Sequence, residues 1–82
     1  AFSAHKLHGP TGIGLAFVRS QYKLPPLIVG GSQEGGRRAG TENLPGIVGF
    51  AKAVELLAYE LPAATERMRK LREKFTDALM FN

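Results

Sequence analysis

The stretch Ile13-Gly14-Leu15-Ala16-Phe17-Val18-Arg19 decides the class of fold. Large apolar side chains at Ile13, Leu15 and Phe17 alternate with smaller residues at Gly14, Ala16 and Val18, so both faces are apolar. A strand with two apolar faces belongs in a sheet covered on both sides, which is the α/β arrangement. The small face leaves room for a helix to approach closely. C-terminal to it, the polar turn Ser20–Lys23 leads into Leu24-Pro25-Pro26-Leu27-Ile28-Val29. Two prolines without N–H groups reduce that run to a short or edge strand.

N-terminal to the same stretch lies Ser3-Ala4-His5-Lys6, then Gly9-Pro10-Thr11-Gly12. Lysine is the side chain that forms Schiff bases, and a neutral amine is made available by burial or a nearby positive charge. Ser3, His5 and the backbone N–H groups of a glycine turn can all donate to phosphate oxygens. Such a grouping suits a phosphate-bearing aldehyde. The ordinary alternative is a solvated lysine near a terminus, and it is the combination that favours a ligand. The glycines satisfy neither a Walker loop nor a dinucleotide fingerprint, because a strand pattern follows them where a helix is required.

Residues 30–41 are a glycine-rich loop that builds no core but can bring backbone close to a ligand or another subunit. Arg37-Arg38 lies there without interleaved aromatics, so nucleic-acid binding is not expected. From Leu44 the pattern turns helical: Ile47, Phe50, Ala51, Val54, Leu57, Ala58 and Leu61 recur at spacings of three and four. Thr41 and Asn43 are candidate N-caps, and Pro45 fits the first turn. Pro62 is expected to end this helix and open a second, with an apolar stripe of Ala64, Met68, Leu71, Phe75 and Leu79. Glu66 with Lys70, and Arg69 with Glu73, pair opposite charges along it.

The chain has 82 residues, a net charge of +4 and no cysteine. It therefore holds no disulfide, thiolate metal site or thiol nucleophile. The two histidines lack a convincing third metal ligand. Its apolar stretches are broken well before the ~20 residues of a membrane span. No secretory signal is visible in the opening Ala-Phe-Ser. A cytoplasmic location is expected, with an organelle matrix open. About two strands do not close a sheet of the usual ~5–6, so the chain reads as a piece of a larger protein.

In combination, Ser-Ala-His-Lys-x-x-Gly-Pro-x-Gly-Ile-Gly (3–14), the Gly-Gly-x-Gln-Glu loop (30–34) and Arg-x-Gly-Thr-Glu-Asn-x-Pro-Gly-Ile-Val-Gly (38–49) resemble the cysteine desulfurases. These are pyridoxal-phosphate enzymes of the class V aminotransferase group, and the likeness is to the NifS/IscS-like branch. The sequence departs from that pattern at Thr11, Val29, Ser32 and Gly35.

The resemblance implies part of the large α/β domain of a fold-type-I pyridoxal 5'-phosphate-dependent transferase: loop, two strands, glycine-rich loop, two helices. Residues 1–61 would belong to the cofactor-binding large domain, and 62–82 would lead towards the small domain. Lys6 would be the catalytic Schiff-base lysine, and Ser3 and His5 would bind the phosphate. Thr41 would reach the neighbouring subunit's cofactor across a homodimer interface. L-cysteine would become L-alanine and an enzyme persulfide, passed to an iron–sulfur scaffold or other sulfur acceptor. The persulfide cysteine would lie C-terminal to this stretch. Two other readings stay open, a selenocysteine lyase or other class V relative, and a truncated non-catalytic interaction module.

Overall fold

In the computed structural model, residues 1–81 are described. β1 (Phe2–Ser3) pairs antiparallel with β2 (Gly14–Leu15), with Phe2 opposite Leu15 and Ser3 opposite Gly14. Between them lies a 3-10 turn at Ala4–Leu7. A second 3-10 turn, Gln33–Gly36, sits in the glycine-rich loop, and a single long helix, α1 (Leu44–Met80), completes the chain.

The ladder is shorter than the alternation from Ile13 to Arg19 predicts. A strand is extended by hydrogen bonds to neighbours, and among the described residues the only partner offered to β2 is the two-residue β1. Beyond Leu15 the apolar residues stand in the open, with Phe17 75% exposed. Leu24–Val29 forms no strand either. Two missing N–H groups and no neighbouring strand leave it without a ladder, and Leu27 is 96% exposed.

The expected pair of helices is instead one helix of 37 residues that passes through Pro62. Proline removes the N–H that would bond the Ala58 carbonyl, and this usually kinks or breaks a helix. Here Ala58 and Pro62 are both exposed, so water can serve that carbonyl. Good helix formers flank the site, Glu60 and Leu61 before it and Ala63 and Ala64 after it. At 1.5 Å per residue α1 is about 55 Å long, which accounts for most of the 61 Å long axis of the molecule.

Asn43 is the N-cap, its Oδ1 accepting from the Gly46 N–H at 3.1 Å, and Pro45 sits in the first turn. The buried face of α1 is Gly46, Phe50 and Ala53, with Gly49 and Leu57 half-buried beside them. This face is rotated from the stripe that hydrophobicity alone marks out. Ile47, Val54 and Leu61 all remain exposed. Glycine carries no hydropathy signal, yet its missing side chain lets the rest of the chain approach the helix backbone most closely.

Candidate functional site

The turn that carries Lys6 is built around Ala4. Ser3 enters it in extended conformation, and the three-residue period of a 3-10 turn then sets Ala4 and Leu7 on one side. Ala4 is fully buried and Leu7 half-buried, while His5 and Lys6 are turned outward to solvent. Three backbone hydrogen bonds fix the position. The Ala4 N–H donates to the Ile13 carbonyl at 3.1 Å, and the Ala4 carbonyl accepts from Gly9 at 2.9 Å and from His8. His8 closes the turn in the left-handed region, at φ 64°. Gly9 is required by closeness, since a Cβ there would lie 3.0 Å from both the Cβ and the carbonyl oxygen of Ala4.

α1 supports this turn from beneath. Pro10 rests on Gly49 and Ile13 on Gly46, beside the buried ring of Phe50. Burying that ring contributes roughly 1.5–3 kcal/mol. The lysine thus sits on a short segment held both by its own backbone and by a helix.

Among the described residues, no side-chain hydrogen bond or ion pair engages Ser3, His5 or Lys6. The Ser3 hydroxyl does not cap its own turn. A hydroxyl, an imidazole and an amine are therefore uncommitted on one rigid turn. That donor set fits a phosphate-bearing aldehyde: the amine for the carbonyl carbon, the others for anionic oxygens.

Thr41 is exposed and follows a loop closed by two latches. The Ala39 N–H donates to the Ile28 carbonyl at 3.1 Å, and the Gly40 N–H donates to Gln33 Oε1 at 3.2 Å. Within it Glu34, Gly35 and Gly36 are all left-handed, at φ 51°, 65° and 77°. Two of these are glycine, which adopts that region without strain. Ala39 is buried, and the Arg38 guanidinium donates to its carbonyl. This fixes the chain just ahead of Thr41 and the N-terminus of α1.

Two broad concavities border these elements. One, of about 780 Å³, is lined by Ile13, Leu15, Arg38, Thr41, Ile47 and Val54 among others. A second, of about 1400 Å³, includes Phe2, Phe17, Tyr22, Leu24 and Arg37. Ser3, His5 and Lys6 line neither. The structure therefore gathers Ser3, His5 and Lys6 on one turn, while Thr41 lines the concavity of about 780 Å³.

Three residues with evident roles here were not singled out by their chemistry. Ala4 is the hub of the turn, Gln33 latches the loop, and Gly49 receives Pro10. All three stand in the stretches that carry the family resemblance, and Gly49 left a further local trace as a glycine three residues after Gly46 in an otherwise helical run. Among the described residues there is no group of three or more metal-ligating side chains, and no helix is long and apolar enough to cross a membrane.

Comparison with known proteins places this arrangement. Residues 1–81 match the model of the aminotransferase class-V family. A cysteine desulfurase of Bradyrhizobium diazoefficiens is 52% identical over 82 residues, which is 100% of this chain and 21% of that protein. A cysteine desulfurase IscS of Dictyoglomus turgidum is 49% identical over 75 residues, covering 92% of this chain and 19% of its own. A solved structure described as a NifS-like protein aligns with a TM-score of 0.88 and 52% identity over 96% of this chain and 22% of that one. The chain spans about a fifth of the length of these relatives. With the α/β fold shared and the Lys6 turn and glycine loop in place, the chain belongs to the aminotransferase class-V family.

Proposed function

We propose that these residues are the cofactor-anchoring part of a cysteine desulfurase, which converts L-cysteine to L-alanine and an enzyme persulfide. The observation that carries this is the exposed Lys6 on a turn immobilised through Ala4, with Ser3 and His5 uncommitted beside it. The likeness to named cysteine desulfurases supplies the reaction.

Pyridoxal 5'-phosphate, when bound, supplies an electron sink for bond changes on the substrate amino acid. The Lys6 Nζ anchors it at the aldehyde carbon. With substrate bound, the same nitrogen would hold and move a proton at the substrate carbon. His5 and Ser3 donate to the phosphate oxygens and hold the group against rotation. Thr41, just ahead of the N-cap of a long helix, offers a hydroxyl where the helix end favours an anion. In this reading it serves the phosphate of a second copy, so the active enzyme is a homodimer.

The 82 residues contain no cysteine, so the thiolate that attacks the substrate sulfur comes from another segment. The persulfide then passes to an iron–sulfur scaffold or another acceptor in the cytoplasm or an organelle matrix. Residues 1–61 belong to the large domain and 62–82 lead towards the small one, with Asn82 outside the described residues.

The test uses the full-length desulfurase carrying these residues. Lys6→Ala is expected to lose the visible absorbance of bound cofactor and to lower alanine release from cysteine by about 10³-fold. Retention of both would overturn the assignment.

A further inference from the structure

The Lys6 turn touches α1 at a point where the helix has no side chain. A Cβ at Gly49 would lie 2.9 Å from Pro10 Cγ and 3.2 Å from Pro10 Cδ, closer than such atoms pack. Alanine is the better helix former, so a glycine inside α1 disfavours the helix unless something needs the space. Pro10 occupies that space. The next residue back, Gly9, bonds to the Ala4 carbonyl, and Ala4 is two residues from Lys6.

Displacement at Pro10 has little slack to absorb it. α1 cannot yield locally, because Phe50 is buried in the adjoining position and Ala53 one turn on. Gly9 cannot retreat, because it already lies against Ala4. The fully buried Ala4 passes the shift to the residues that follow it.

We propose that Gly49 is a positioning residue for Lys6: its bare backbone seats Pro10 and so sets where the amine stands. This rests on the reading that Lys6 anchors the cofactor. Gly46 is a less clean probe, since a Cβ there would first meet the capping side chain of Asn43, at 2.6 Å.

The contact predicts a specific rescue. Pro10→Ala removes Cγ and Cδ and keeps Cβ, which would lie 3.9 Å from an alanine Cβ at position 49, an ordinary contact. The measurement is the rate at which pyridoxal 5'-phosphate is fixed to Lys6 by borohydride, with the modified peptide identified by mass. Wild type, Gly49→Ala, Pro10→Ala and the double variant are compared in the full-length protein, alongside far-ultraviolet circular dichroism.

Gly49→Ala is expected to slow fixation about tenfold with the helical signal unchanged, since small misplacements are felt strongly by a reacting group. The double variant should return to within about threefold of Pro10→Ala alone, as coupling between touching residues requires. A merely destabilising change would lower the melting temperature without that rescue of rate. Fixation in Gly49→Ala at the wild-type rate overturns the proposal and leaves Lys6 as the anchor. Absence of any adduct on Lys6 in the wild type overturns both. If Gly49→Ala alone does not fold, the double variant decides: recovery to the Pro10→Ala rate supports the contact, and persistent impairment refutes it.

Discussion

The two ends of α1 share one secondary structure and are held by different forces. From Gly46 to Leu57 the helix buries Gly46, Phe50 and Ala53 against the loops at Ala4 and Pro10 to Ile13. From Ala58 onward every described residue is exposed, including Met68, Leu71, Phe75 and Leu79. That half relies on local pairs: Arg69 with Glu66 at 2.7 Å and with Glu73 at 2.5 Å, and Lys70 with Glu66 at 3.7 Å. Exposed pairs of this kind stabilise a helix only weakly, because water screens them. The lesson is functional. Within these residues, the half of α1 that is packed is the half beneath the candidate lysine.

The largest test of this contrast removes the packing itself. Phe50→Ala deletes the only large buried side chain among the described residues and should cost about 3–5 kcal/mol. The amides of Ala4 and Gly9, now protected by their bonds to Ile13 and Ala4, should exchange much faster with deuterated water. Amides between Glu66 and Glu73 should exchange as before. Unchanged protection at Ala4 would mean that the turn holds itself and owes nothing to α1.

That division was partly legible in the sequence. Ser3, His5 and Lys6 were readable as a group because their chemistry differs from their neighbours', and the helix from Leu44 was readable from its spacing. The pairs of Glu66 with Lys70 and Arg69 with Glu73 follow directly from i,i+4 geometry, and both form. The strands were not recoverable in length, because alternation at Ile13–Arg19 reports which faces want burial and says nothing about whether a neighbouring strand is present. The buried face is only partly marked by hydropathy, which picks out Phe50 and Leu57, for a related reason. Gly46, Gly49 and Ala53 are small, so a hydropathy stripe favours Ile47 and Val54, although closeness of packing favours the small residues.

Pro62 marks the boundary between the two regions and gives the next test. A proline there predicts a helix end, yet the helix continues because its exposed position leaves the Ala58 carbonyl open to water. Pro62→Ala restores the missing bond and removes a penalty of up to ~3 kcal/mol. Amide exchange at Ala63 to Glu66 should slow and helical circular dichroism should persist to higher temperature. Exchange at Phe50 and Ala53 should stay as it was, since packing already secures them. Slower exchange along both halves equally would show that α1 behaves as one cooperative unit and would erase the contrast.

The smallest effect comes from charge. Arg69 holds the Glu66 carboxyl below its ordinary range, with desolvation opposing the shift and Lys70 adding a smaller pull in the same direction as Arg69. Arg69 is in turn pushed upward by Glu66 and Glu73 and stays charged throughout. A carboxyl whose folded value is lowered contributes stability above its unfolded value, and that contribution is lost as pH falls through the folded value. Acid below the ordinary carboxylate range should therefore loosen the helix around Glu66 to Glu73 while Gly46 to Ala53 keeps its shape, read as carbon chemical shifts residue by residue. The Glu66 side chain is about half exposed, so the loss is small, and about 1 M salt should mimic much of it by screening. Arg69→Gln should flatten the acid response of the second half. If that variant still loosens on acidification as wild type does, the ion pairs contribute nothing measurable, and helix propensity alone carries the outer half of α1.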